Sequence, residues 1–435
     1  MRLLLHAAVR DSAGKLVKRC LGDLVTESER KHFMFYNKSI GAIAIAAMAT
    51  MASHQVVADG VVKIGVPLEL SGKYVVYGEQ GKRGIEMALD AYGPTVAGKK
   101  IEIVYRDVQS NNHATVTAVT ELVQQEKVDF MFGPIASGIV AASVPPWRQG
   151  KPLWIVPGSS SEKVEQEVIG EKLFFHTYPW GYLYHQSTAD GLSKVLGKKK
   201  RLAIVYSDGS YGRAHLPSAE KYYTEAGFEI VSKELVRENS ADLNPVLQIV
   251  RRTKPDVLLG LVQTSDAIQL AKQIEIAKLD IPYLVGTVYP QIPDWVNAVG
   301  PAADKWIGVT TYLPGVGFSG DPKYPKLFPG IKEWEALFRK RYNREPEFLD
   351  VTCYTSAMLL FLAMERAEST DKGKVAVALR DLGVKTMLGD SEFVKSLGGA
   401  ENQAFSKMIV FQRQKDGYAV LYPEGAATGK AQPRN

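Results

Sequence analysis

Cysteine is almost absent: the 435 residues hold Cys20 and Cys353 and no other. Two such distant cysteines, with none of the paired spacings of a zinc ligand set, exclude a disulfide-stapled scaffold and a zinc-ribbon site. Histidine is also sparse. Beyond residue 58 there are four, His113, His176, His185 and His215, and none falls in an HExxH pattern. The sequence contains no GxSxG elbow and no GxxxxGK[ST] phosphate loop. Gly315, Gly317 and Gly320 match GxGxxG, but they follow Pro314 and precede Asp321-Pro322, so the match reads as a flexible turn with no helix to receive a pyrophosphate. These absences argue against an enzyme and against a bound metal or cofactor. No apolar run reaches the roughly 20 residues of a membrane span. No basic cluster interleaved with aromatics points to nucleic acid. Lys198-Lys199-Lys200-Arg201 reads as one solvated loop.

What is present begins with a leader. Ile40–Ala52 is an uncharged run of thirteen small or apolar residues preceded by Lys38, which fits the core of a signal peptide. Val56-Val57-Ala58 supplies small residues for cleavage after Ala58, and translation is expected to start at Met34, with a long charged n-region as the alternative. Cys20 lies upstream of the apolar run, so the expectation is a periplasmic protein without a lipid anchor. Eight of the 53 Lys/Arg and four of the 47 Asp/Glu lie in residues 1–58, leaving 45 and 43. The basic character of the chain is therefore largely leader. Residues 59–435 are enough for two well-filled domains stabilised by core burial.

Beyond the leader, strands alternate with helices, the pattern of parallel α/β sheets. Val61–Leu70 is an apolar run broken at Ser71-Gly72 and followed by a helix expected over 81–91. A second series begins after Pro179, with strands expected at 202–206, 228–231, 257–261, 283–285 and 306–311. Residues 320–395 show two long helices without an obvious strand, so they are expected to return to the first lobe. The expected organisation is 59–178 plus about 312–395 as one lobe, 179–311 plus about 396–425 as the other, and 426–435 as a flexible tail. Discontinuous lobes joined by several segments make a hinge.

Several motifs occur in a telling order. They are Ser71-Gly72 with Tyr77-Gly78, Arg106-Asp107, Gly133-Pro134 before Ser137, Pro157-Gly158-Ser159-Ser160-Ser161, Ser207-Asp208-Gly209-Ser210-Tyr211-Gly212, Asp242-Leu243 before Asp256-Val257, and Cys353-Tyr354-Thr355-Ser356-Ala357. In that order the chain resembles the substrate-binding proteins of branched-chain amino-acid-type ABC importers, over about residues 60–385. The resemblance implies the type I periplasmic binding protein fold, two Rossmann-like lobes closing on a small carboxylate-bearing ligand, a branched-chain or other amino acid, and an ABC permease as partner. The alternatives are a binder of aromatic or aliphatic carboxylates without an ammonium group, or a ligand sensor for a separate receptor. The resemblance also implies a monomer and no nucleic-acid partner.

The resemblance further implies that a ligand carboxylate lies between Ser137 and the Ser159, Ser160, Ser161 segment. Ser137 as a helix cap, with free amides beyond it, suits an anion. Tyr77 and Tyr211 match positions lining the cleft from opposite lobes, while Arg106-Asp107 is expected to brace a strand end. Amino-acid-binding members carry an acid for the ligand ammonium just after the strand that here ends Leu284-Val285-Gly286. This chain reads Thr287-Val288-Tyr289-Pro290 there. A buried ammonium without a partner is heavily penalised. Either Asp266, Asp208 or another carboxylate substitutes, or the ligand has no ammonium. Tyr178, Trp180, Tyr182, Tyr184 and Tyr289 suit an aromatic or apolar carboxylate, and equally suit packing.

Overall fold

A computed structural model of the chain describes residues 60–415 and 417–434. The expected leader, with Met34, Cys20 and the cleavage after Ala58, lies outside the described residues. The first sheet contains β1 (Val61–Leu68), β2 (Thr95–Val96), β3 (Lys99–Asp107), β4 (Phe130–Phe132), β5 (Leu153–Val156) and β6 (Phe174–His176), in the order β2-β3-β1-β4-β5-β6. All pairings but β2 with β3 are parallel. Helices α1 (Val75–Tyr92), α2 (Asn112–Thr120), α3 (Ser137–Trp147) and α4 (Glu162–Glu167) follow β1, β3, β4 and β5. β4 and β5 are buried at every position, as a strand covered by helices on both faces must be.

Helix α1 starts earlier than the sequence pattern predicts, at Val75 instead of near 81. Its glycines read locally as turn residues, but they serve close packing. A Cβ at Gly78 would stand 2.1 Å from the Glu69 carbonyl oxygen, so this helix can lie against the end of β1 only with glycine there.

In the second lobe α5 (Gly181–Leu196) precedes β7 (Arg201–Ser207), β8 (Glu229–Val236), β9 (Val257–Leu261), β10 (Tyr283–Val285) and β11 (Ile307–Thr310). Helices α6 (Ser210–Glu225), α7 (Asn244–Thr253), α8 (Thr264–Ile276) and α9 (Pro293–Val299) connect those strands. Then come α10 (Ile331–Tyr342), α11 (Phe348–Arg366), α12 (Lys372–Arg380), the short β12 (Lys385–Thr386) and β13 (Gly389–Asp390), and the hairpin β14 (Ile409–Gln414) and β15 (Gly417–Tyr422). The hairpin closes the second sheet, ordered β15-β14-β11-β10-β9-β7-β8, through antiparallel pairing with β11. Helix α11 is apolar and long enough to cross a membrane, yet 94% of its apolar window is buried in the fold. It packs along α1, where Gly84 lets the Asp350 carbonyl approach.

Two boundaries differ from the sequence expectation. Residues 394–404 run along the edge of the first sheet, not in the second lobe. Val394 and Gln403 exchange backbone bonds, His176 N donates to Asn402 O, and Ala404 N donates to His176 O. The terminal segment, expected to be flexible, is held by hydrogen bonds. Gln412 is fully buried, and its amide finds partners in Gln432, donating to the carbonyl and accepting from the N–H. Arg434 N donates to Pro282 O.

Candidate functional site

The carboxyl ends of β1, β4 and β5 open onto a narrow cavity of about 40 Å³. Ligands of open parallel sheets sit at such strand ends. From the first lobe it is lined by Tyr77, Ile135, Ala136, Ser137, Ser159 and Ser160. Tyr184, Tyr211, Gln263 and Val288 line it from the second lobe, and Tyr178, Phe348 and Leu349 complete the wall. All these side chains are uncharged.

Local chemistry places the serines. After β5 the chain turns at Pro157-Gly158 and Ser159 takes a left-handed conformation, φ 65°. Ser159 Oγ is buried and has no hydrogen-bond partner among the described residues. An orphaned buried hydroxyl costs on the order of 1–3 kcal/mol, which a ligand acceptor would relieve. Ser160 Oγ lies 2.7 Å from His215 Nε2, and His215 Nδ1 lies 2.9 Å from His185 Nε2. Burial pushes the His215 imidazole down to about 3 and His185 well below its ordinary value. Both rings are therefore neutral near pH 7.

The start of α3 is arranged differently from the expectation that Ser137 caps it. Ala136 is the capping position, and Ser137 is the first helical residue, with its side chain in the cavity wall. The amides of Ile135 and Ala136 donate to the carboxylate of Glu69, at 3.1 and 2.8 Å to Oε1. Glu69 is fully buried, and desolvation raises its carboxyl to about 7 despite those bonds. The chain thus fills part of this anion-favouring end with its own acid. The amides of Ser137 and Gly138 lack intrahelical partners by helix geometry.

Direct polar contacts cross between the lobes. Tyr77 Oη donates to Gln263 Oε1 at 3.0 Å and sits 2.7 Å from Thr264 Oγ1. At the mouth Lys73 pairs with Glu238 at 2.9 Å. The Ser160–His215 contact is a third, since His215 belongs to α6. Burial lifts the Tyr77 hydroxyl to about 12, so it stays protonated and can keep donating.

Five of the eight sequence-selected residues meet at this cavity: Tyr77, Ser137, Ser159, Ser160 and Tyr211. Three do not line it. Ser161 is buried as the residue preceding α4. Asp266 turns to Asn239, accepting from its amide at 2.8 Å. Tyr289 packs in the second-lobe core against Trp295 and Trp306, because Gly260 and Gly286 leave room for its ring. Asp208 likewise accepts from the Glu238 amide, at 2.9 Å. Of the other aromatics, Tyr178 and Tyr184 share a 2.6 Å hydroxyl contact in the cavity wall, whereas Trp180 stacks on His176 and Tyr182 donates to Glu165. Arg106 and Asp107 do not pair with each other. Arg106 bridges Glu121 and Glu126, and Asp107 accepts from Ser71 and the Leu70 and Gln109 amides. Residue-by-residue reading missed Glu69, His185, His215 and Gln263. An acid inside the otherwise apolar run Val66–Leu70 was the available signal for Glu69.

Two parallel-stranded lobes with a cavity at their facing strand ends agree with the family comparison. A model of the family described as periplasmic binding protein matches residues 61–418. The chain belongs to the periplasmic binding protein family. Among its relatives is the Leu/Ile/Val-binding protein homolog 7 of Brucella abortus (strain 2308), 24% identical, with 90% of this chain and 98% of that protein covered. The homolog 8 of Brucella suis is 25% identical, with 90% and 97% covered. A leucine-binding protein of Thermotoga maritima superposes with a TM-score of 0.73 at 22% identity, covering 82% of this chain and 97% of the other. A Rhodopseudomonas palustris ABC-transporter solute-binding protein in complex with benzoate gives 0.71 at 22%, covering 86% and 97%. The shared fold is type I, with two α/β lobes.

Proposed function

We propose that this periplasmic binding protein is the exported, solute-binding component of an ABC importer, and that it takes a small carboxylate without an ammonium group. Such a protein binds and releases without catalysis, closing on its ligand and presenting the closed form to a membrane permease. The observation that carries the ligand class is the uncharged cavity wall: Val288 faces the cavity where an acid would be needed, and Asp266 and Asp208 are engaged elsewhere. A ligand ammonium there would be buried without a counter-charge. The aromatic rings of Tyr178, Tyr184, Tyr211 and Phe348 favour a flat apolar body, and the hydroxyls of Ser137, Ser159 and Ser160 favour an acceptor at its end. Benzoate is bound by one of the solved proteins of similar fold, which makes it a natural probe.

The test is a thermal-shift series on residues 59–435 with benzoate, 4-hydroxybenzoate, leucine, isoleucine and valine. Binding to the folded state raises the melting point by mass action. Stabilisation by the aromatic acids is the expected result; stabilisation by the amino acids alone would overturn the ligand class. Ser137→Ala and Ser160→Ala should each weaken an aromatic carboxylate by about 1 kcal/mol or more. Unchanged affinity in both would remove the serines from the anion site.

A further inference from the structure

Ser160, His215 and His185 form an unbroken chain of short contacts leading away from the cavity wall. Ser160 Oγ to His215 Nε2 is 2.7 Å, and His215 Nδ1 to His185 Nε2 is 2.9 Å. All three side chains are at most 3% exposed. Tyr211 lies over the His215 ring at 4.2 Å between centroids, and Tyr184 meets its edge at 5.5 Å. Gly181 closes the remaining side: a Cβ there would stand 2.9 Å from Ser160 O and 3.1 Å from both Glu162 Oε1 and His215 Cε1. The rings are thus held in place by packing.

A neutral imidazole donates from one nitrogen and accepts at the other. Two neutral rings in series therefore permit two hydrogen-bond directions only. In one, His185 Nε2–H donates to His215 Nδ1, His215 Nε2–H donates to Ser160 Oγ, and the serine proton is left for the cavity side, where a ligand acceptor competes for it with the hydroxyls of Tyr184 and Tyr211. In the other every bond is reversed, and Ser160 spends its proton on His215. We propose that His185 and His215 are positioning residues that hold the chain in the first direction, making Ser160 a hydrogen-bond donor into the cleft and requiring an acceptor from the ligand group against it. This rests on the carboxylate reading above and extends it to a discriminating device. Because Ser160 belongs to the first lobe and His215 to the second, lobe closure completes the chain. The His185–His215 bond lies within the second lobe, between α5 and α6, and does not depend on closure.

That independence separates the two readings experimentally. Nitrogen-15 NMR of the histidine rings in the ligand-free protein should find His215 as the Nε2–H tautomer, and titration with benzoate should leave it so. An Nδ1–H tautomer or a charged ring at pH 7 would overturn the proposal whatever the ligand is. Benzoate affinities of His185→Phe, Ser160→Ala and the double variant supply the second arm. His185→Phe and Ser160→Ala should each weaken benzoate about tenfold, and the double variant no more than Ser160→Ala alone. Additive losses would mean that His185 acts only through packing. If the wild type binds neither benzoate nor 4-hydroxybenzoate, the aromatic-carboxylate reading fails, while the tautomer still decides the relay.

Discussion

Both lobes meet the cavity with rings, Tyr77 from the first and Tyr184 and Tyr211 from the second, but the serine hydroxyls and the start of a helix come from the first and the amide side chain from the second. Ser137, Ser159 and Ser160 stand at the ends of β4 and β5. Tyr184, Tyr211 and Gln263 come from α5, α6 and the turn before α8. The two lobes share their parallel architecture, so the difference comes from the residues placed after each strand. One lobe is suited to catch a polar end group and the other to cover an apolar body and complete the hydrogen-bond chain. The same contrast recurs along the cleft. Its deep end is joined by the buried, uncharged Ser160–His215 contact, and its mouth by the partly exposed Lys73–Glu238 pair.

The largest expected effects come from matched glycines, one in each lobe. A Cβ at Gly78 would meet the Glu69 carbonyl oxygen at 2.1 Å, and one at Gly212 would meet Ser207 O at 2.4 Å. Backbone cannot yield as a flexible side chain does. Gly78→Ala and Gly212→Ala should each cost on the order of 3 kcal/mol, read as a lower midpoint in urea unfolding. A loss confined to one of them would break the parallel between the strand-to-helix turns.

The pH dependence of stability sets acids against histidines. Glu69 and Glu162 are raised to about 7 chiefly by burial. Each binds its proton more tightly folded than unfolded, so its contribution is full below about 4.5 and fades as pH rises through 7. His176 and His215 are lowered to about 4 and about 3 by burial, so their contribution is present above about 6.5 and is lost as pH falls through those values. Urea midpoints should therefore decline on both sides of mildly acidic pH. Glu69→Gln should make the alkaline side shallower, with Glu162 still contributing, and leave the acidic side in place. An unchanged alkaline limb would mean that Glu69 keeps its charge when folded.

The smallest effect is expected at the mouth. Lys73 and Glu238 are 31% and 23% exposed, and ion pairs so placed contribute about 0–1 kcal/mol. Lys73→Ala should change ligand affinity by no more than a few-fold, and less at high salt. A tenfold loss would show that the mouth, and not the buried contacts, holds the lobes together.

Much of the fold was legible because strand and turn signals are local. The runs 257–261 and 283–285 match the observed strands. The start of α1 was misplaced because Gly78 looks like a turn residue until its neighbour, the end of β1, is known. Helix α5 went unread although it carries Tyr184 and His185. Motif order picked out Tyr77, Ser137, Ser159, Ser160 and Tyr211, which the fold brings to the cavity, whereas Ser161, Asp266 and Tyr289 lie elsewhere. An aromatic or an acid near a strand end serves core, loop or ligand equally well until its surroundings exist.

The sequence by itself determined the alternation of strands and helices, the membership in a two-lobed class, and the want of an acid after β10. Those properties depend on neighbours a few residues apart. Tertiary structure alone decided that Glu69 occupies the amides of Ile135 and Ala136, 66 and 67 positions away, that Tyr77 reaches Gln263 across 186, and that Ser160 meets His215 across 55. Hydrogen bonds at such separations form only once strand ends distant in sequence have been brought together, within the first sheet for Glu69 and between the lobes for the others, and no local pattern records which side chains will face each other there.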